Sequence, residues 1–283
     1  MPVIRAHFLI ESHSQSCKQL VMVIGQMCYN QPMSIEKRLN QKQPALPPAL
    51  QAAIALLLPL TVGLTVGALL GEGAASELAV LAPLFTAVGL TSWLLGLFWY
   101  GLRNLGLRGG RPLFSGIAFA SLGWLALLPL RFIFVELIGF GGGFNIFMYL
   151  LLFEAFAVQL WLFGLLFRAV ALWRGPLTAA ISSGVIFGAV AASFFQEAYN
   201  IGLISLVYFA LWGIFYGIVR LRTGSIWGIV LVQATQSFTT WTVLLPPESP
   251  SLAYVQWLYL ATSFAFLIFI WRLWPKELDD YRV

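Results

Sequence analysis

Residues 146–167 read IFMYLLLFEAFAVQLWLFGLLF and contain a single charged side chain, that of Glu154. A helix needs about 20 mostly apolar residues to cross the hydrocarbon core of a bilayer, at about 1.5 Å per residue. This stretch meets that requirement, so it predicts a helix that crosses a membrane.

Seven further segments are apolar over a comparable length: 52–70, 81–100, 114–130, 177–195, 201–219, 226–245 and 252–270. Gly and Pro residues mark the joints between them, as in Gly175-Pro176 and Pro246-Pro247. The chain of 283 residues is 60% hydrophobic and 10% charged, whereas a soluble domain has about 25% charged residues. The composition excludes a soluble domain. It predicts an all-α fold, a polytopic membrane helix bundle with about eight transmembrane helices.

The basic residues predict the orientation of this bundle. If the N-terminus is cytoplasmic, all but one of the 16 Lys and Arg residues fall on the cytoplasmic side, the exception being Arg131. We therefore expect both termini to be cytoplasmic. The net charge of +5 does not indicate nucleic-acid binding, because the basic residues are spread between apolar segments and form no stripe. The expected partner is the lipid bilayer.

The predicted domain organisation has three parts. An N-terminal tail covers 1–48, a transmembrane domain covers 49–274, and a cytoplasmic C-terminal tail covers 275–283. Residues 1–32 differ in character from the rest, and Met33 is a plausible alternative start, so this part is either absent from the mature protein or a disordered tail. Residues 131–144 allow three interpretations: an extension of the third helix, a segment along the interface, or a re-entrant segment.

Ionisable and polar side chains inside the bilayer are candidates for function, because burying them in lipid is costly. A candidate buried ion pair joins Arg131 to either Glu136 or Glu154. A candidate polar cavity is predicted from Glu154, Gln159, Ser183, Gln233, Gln236 and Ser237. On helical geometry, Glu154 lies about 140° away from Gln159 and is expected to face elsewhere. The simplest alternative is that these polar groups only join helices through hydrogen bonds.

Three short stretches carry a family resemblance: FGLLFR at 163–168, ISSGVIFG at 181–188 and RLRTGSIW at 220–227. With Gly175-Pro176 between the first two, they resemble the CPBP family. This family of intramembrane glutamyl or metalloprotease-like proteins includes type II CAAX prenyl endopeptidases and Abi proteins. The CPBP-like core covers about 146–245. The resemblance implies a mechanism in which a carboxylate activates water, while histidines hold a metal or stabilise an oxyanion.

The family's catalytic residue types are absent from the matching positions, where only Phe187 and framework glycines are retained. The paired glutamates correspond to Val158 and Gln159, and the motif arginine to Phe163. The motif histidines correspond to Ala191 and Gln233, and the asparagine to Ser237. The only histidines of the chain are His7 and His13, in the N-terminal tail. We therefore expect no catalytic residues, no metal site and no cofactor.

These observations predict a proteolytically inactive CPBP-like membrane protein, which acts as a scaffold or binds a membrane partner or a lipid or prenyl-type ligand. One alternative is an active CAAX-type endopeptidase with a divergent site that uses Glu154 or Glu197 as base. Others are a subunit of a larger membrane complex, or a transporter, which the lack of repeats and of a charged path disfavours.

Overall fold

The computed structural model describes residues 46–71, 77–134, 139–140, 143–195, 202–245, 251–277 and 280–282. The tail before residue 46 and Glu136 therefore lie outside the described residues, as does Glu197. Within the described part of the chain the architecture is helical. Eight helices follow one another, and two strands of two residues each are the only β-structure there.

Five helices cover the first half of the described chain and its centre. They are α1 Pro48–Gly71, α2 Glu77–Trp99, α3 Arg111–Phe134, α4 Phe144–Arg174 and α5 Pro176–Phe194. The helix α3 continues past Arg131 to Phe134, whereas Gly139–Phe140 form a strand, so helix accounts only for the first part of residues 131–144. The helix α4 contains two π-helical turns, Leu150–Phe156 and Leu160–Leu166.

The remaining helices are α6 Leu203–Thr223, α7 Trp227–Ser237 and α8 Leu252–Leu273. A π-helical turn, Phe238–Val243, continues α7, and the strand β2 Leu244–Leu245 follows it. This strand pairs antiparallel with β1 Gly139–Phe140. The predicted all-α membrane helix bundle is confirmed, since seven helices of the described chain are long and apolar enough to cross a membrane.

Of the eight predicted spans, 226–245 is the one absent from these seven, because its regular helix α7 has only 11 residues. Regular α-helix ends at Ser237, and the next turn is π-helical. The hydroxyls of Thr239 and Thr240 donate to main-chain carbonyls of the preceding turn, Thr239 to Thr235 at 2.7 Å and Thr240 to Gln236 at 2.6 Å. Such hydroxyls compete with the helix's own hydrogen bonds and often bend helices.

The tightest helix contact in the described structure joins α5 and α6. Gly184 and Gly188 face α6, while Gly213 and Gly217 face α5, and each pair has the G-x-x-x-G spacing. A methyl group built on Gly184 would lie 2.5 Å from the main-chain nitrogen of Ile214. The absence of side chains at these positions lets the two backbones touch, as in other membrane helix pairs with small residues at the interface.

Aromatic rings fill the space beside this contact. The ring of Phe187 lies 5.3 Å from that of Trp212, and 5.7 Å from that of Phe163 on α4 (centroid distances). All three side chains are buried. Outward-facing residues of α1, α2 and α8 are instead large and exposed, for example Leu69, Phe98 and Trp271. An apolar surface of this kind suits a lipid environment.

Candidate functional site

The first feature of the candidate site is the widened geometry of α4. Residues Leu150–Phe156 form a π-helical turn, in which hydrogen bonds join residues five apart and not four. In an α-helix Glu154 would lie about 140° from Gln159. Glu154 lies in this π turn, and both Glu154 and Gln159 form hydrogen bonds with residues of α7, so the expectation that Glu154 faces elsewhere was wrong. Both side chains are directed at α7.

Gln159 and Gln233 are joined by a direct hydrogen bond. The amide Nε2 of Gln159 donates to Oε1 of Gln233 at 2.6 Å, and both side chains are fully buried. These are the positions that the CPBP resemblance matches to a glutamate and a histidine. The structure therefore brings the two motif positions together from α4 and α7, and a pair of neutral amides occupies them.

Glu154 and Ser237 form a second link between α4 and α7. The hydroxyl of Ser237 donates to the carboxylate Oε1 of Glu154 at 3.3 Å, and both residues are buried. Ser237 lies one helical turn after Gln233, on the same face of α7. The carboxylate therefore belongs to the same polar row as the amide pair. This row is called the Gln–Glu cluster below; it consists of Glu154, Gln159, Gln233 and Ser237.

Gln236 lies beside this cluster on α7 and is fully buried. Neither its amide nitrogen nor its amide oxygen has a hydrogen-bond partner among the described residues. Buried polar atoms are nearly always hydrogen-bonded, and an exception calls for an explanation such as a water or a ligand. Ser183, on α5, is also buried, but it takes no part in the hydrogen bonds of the Gln–Glu cluster.

The other positions that match the family motifs carry apolar side chains. Val158, Phe163, Phe187 and Ala191 are all fully buried. Phe163 and Phe187, which match the motif arginine and the retained phenylalanine, pack ring against ring. No ionisable side chain occupies any of these four positions, so they provide packing and not acid–base chemistry.

Arg131 is fully buried on α3, as expected for an ionisable residue that faces the bundle interior. The candidate ion pair among Arg131, Glu136 and Glu154 stays a prediction, because Glu136 lies outside the described residues.

The donor set at the site does not fit a metal ion. A metal site of the kind that the CPBP resemblance implies requires imidazole, carboxylate or thiolate ligands held close together. Across the residues that the structure describes, no group of three or more His, Cys, Asp or Glu side chains is close enough to hold one. The Gln–Glu cluster offers one carboxylate, two amides and a hydroxyl, and no catalytic step through a metal follows from it.

Aromatic side chains flank the cluster at the α4–α7 interface. The rings of Phe156 and Trp227 are stacked at 5.3 Å, and those of Phe147 and Phe238 meet edge to face at 5.3 Å. A small apolar core of Ala155, Val230 and Ala234 lies between the two helices. The interface therefore combines a few polar groups with an apolar lining, as is typical of sites for largely apolar ligands.

Residues 140–239 match the family model for type II CAAX prenyl endopeptidase Rce1-like proteins. The matched region contains α4 to α7 and all residues of the Gln–Glu cluster. No curated protein and no solved structure matches the chain. The family match agrees with the CPBP resemblance over residues 140–239. The chain is a multi-pass integral membrane protein.

Proposed function

We propose that this protein is a non-proteolytic Rce1-like membrane protein that binds a prenyl-type or lipid ligand at the α4–α7 interface. The observation that carries the proposal is the hydrogen bond between Gln159 and Gln233. A neutral amide neither takes a proton from water nor holds a metal ion well. Two such amides, bonded to each other, replace the groups that peptide hydrolysis in the family would use.

The buried amide of Gln236 supports the binding part of the proposal. Its donor and acceptor are free of partners in the described structure, and it precedes Ser237 of the Gln–Glu cluster on α7. A ligand with an apolar chain and one polar head would place the chain among the rings and the head against this amide. The ligand would then satisfy polar atoms that are otherwise costly to bury.

The test measures binding and cleavage in one sample. Purified protein in neutral detergent is titrated with a farnesylated peptide that ends in a CAAX sequence, with the same peptide lacking the farnesyl group as control. We expect saturable binding of the farnesylated peptide only, and mass spectrometry should show it intact. Replacing Gln236 by leucine should weaken binding about 5- to 30-fold, since one hydrogen bond in a dry site contributes about 1–2 kcal/mol.

Gln256 provides the matched control, because it is a glutamine on α8 whose side chain is exposed. Gln256→Leu should leave the dissociation constant unchanged. Absence of saturable binding would refute the ligand proposal. A stoichiometric protein partner that copurifies in mild detergent would favour the scaffold function in its place.

The second candidate function is an endopeptidase with a divergent site, and the position of Glu154 favours it. Its carboxylate contacts Ser237, at the position that matches the family's asparagine, within the Gln–Glu cluster. If Glu154 is a general base, Glu154→Gln should lower cleavage of the farnesylated peptide by about 10²-fold or more. Glu277→Gln, which changes an exposed carboxylate after α8, is the control. Cleavage that persists in Glu154→Gln, or is absent from the wild type, rules this function out.

A further inference from the structure

Arg220 is a fully buried arginine three residues before the end of α6. Its Nε donates to the main-chain carbonyl of Phe163 at 3.1 Å, and its Cζ lies 5.2 Å from the centre of the Phe167 ring. These contacts hold one edge of the guanidinium against α4. The opposite edge carries the two terminal nitrogens, Nη1 and Nη2.

The loop between α2 and α3 covers a face of this guanidinium. Gly106 has φ +87°, and a methyl group built on it would lie 2.6 Å from both Cζ and Nη2 of Arg220. The loop is fixed there by two hydrogen bonds: the amide of Ile226 donates to the Gly106 carbonyl at 2.9 Å, and the Ser225 hydroxyl donates to the Arg108 carbonyl at 2.7 Å. The guanidinium is thereby held in a fixed plane.

Both terminal nitrogens of Arg220 are buried without a hydrogen-bond partner among the described residues. Within that part of the chain no carboxylate lies within salt-bridge distance of this side chain. A buried charge without a counter-charge is strongly destabilising, and buried arginines are normally paired with an anion. The free edge of Arg220 therefore indicates an anion that is not part of the described chain.

Two further arginines add positive charge at the same place. Arg108 and Arg168 both lie within electrostatic range of Arg220, and Arg168 is fully buried as well. Both arginines also interact with other groups. Their contribution to the surroundings of Arg220 is their positive charge. Arginines that repel one another in a buried site favour an anion with more than one negative charge.

We propose that Arg220, with Arg108 and Arg168, forms a binding site for a phosphoryl group. The planar edge with Nη1 and Nη2 matches two oxygens of a phosphate, which arginine binds in bidentate fashion. The phosphoryl group comes either from free phosphate or from the headgroup of an anionic lipid. The site is distinct from the Gln–Glu cluster and does not depend on the function proposed for it.

The first arm of the test uses inorganic phosphate. Thermal unfolding of the full chain in neutral detergent is followed with increasing phosphate against sodium chloride at equal ionic strength. We expect a saturable rise in Tm of roughly 2–4 °C for the wild type. Arg220→Gln should abolish the rise, and Arg174→Gln, which changes an exposed arginine at the end of α4, should retain it.

The second arm uses lipid nanodiscs that contain phosphatidic acid or only phosphatidylcholine. A rise in Tm with phosphatidic acid but not with inorganic phosphate supports the site and identifies the headgroup as the source. If Arg220→Gln does not fold, Arg220→Lys keeps the charge without the bidentate edge and should lose most of the rise. No rise with either probe, or an equal rise in an Arg220 variant that folds, overturns the proposal.

Discussion

Gly213→Val is expected to prevent stable assembly of α5 on α6. A Cβ atom at residue 213 would collide with the main-chain carbonyl of Gly184, and one at Gly217 with that of Ala180. Backbone atoms cannot rotate away as a flexible side chain can, so the two helices would have to separate. Overpacking in a core usually costs about 1–3 kcal/mol, and we expect a loss at or above the top of that range.

The loss is measured as the change in thermal unfolding temperature and in the yield of monodisperse protein after size-exclusion chromatography. Gly109→Val is the matched control, because Gly109 is exposed and nothing lies within 4 Å of a Cβ built on it. It should behave like the wild type. Equal stability of Gly213→Val and Gly109→Val would show that α5 and α6 do not approach as closely as described.

The apolar segments of the chain could be predicted from the sequence because the bilayer imposes a length and a composition on every spanning helix. The close contact between α5 and α6 also had a signal, since Gly184 and Gly188 are spaced G-x-x-x-G, as are Gly213 and Gly217. The family resemblance was evident from framework residues such as Gly164 and the turn at Gly224, and the match over residues 140–239 agrees with it.

The geometry of the candidate site could not be predicted in the same way. The orientation of Glu154 depends on a π-helical turn, and the residues 150–156 carry no Pro or Gly that would indicate one. Whether Gln159 meets Gln233 depends on the packing of α4 against α7, which joins residues 74 positions apart. Local patterns carry no information at that separation.

Arg220 shows a different limit of sequence-based reasoning. Its position after an apolar segment predicts only that it is one of the basic residues that determine topology. The structure places it inside the bundle, against the Phe163 carbonyl and the Gly106 turn. Its burial follows from the loop between α2 and α3, which folds over the end of α6, and no residue near Arg220 in the sequence indicates that.

A double-mutant cycle on Gln159 and Gln233 is expected to give strongly non-additive losses of stability. Gln159→Leu alone leaves the amide of Gln233 buried without its partner, and Gln233→Leu does the same to Gln159. Each should lower the free energy of unfolding by about 1–3 kcal/mol. The double replacement removes both polar groups, and it should be nearly neutral because neither amide is left buried without the other.

The cycle is measured by thermal or denaturant unfolding in a fixed detergent. The control is Gln256→Leu, which changes an exposed glutamine on α8. It should change the free energy of unfolding by less than about 0.5 kcal/mol. Large coupling with retained binding of the farnesylated peptide would mean that the amide pair is structural and that Gln236 orients the ligand. Additive losses would contradict the bond between Gln159 and Gln233. Each amide would then have a different interaction partner. The idea that the two amides have replaced a catalytic pair by bonding to each other would be wrong.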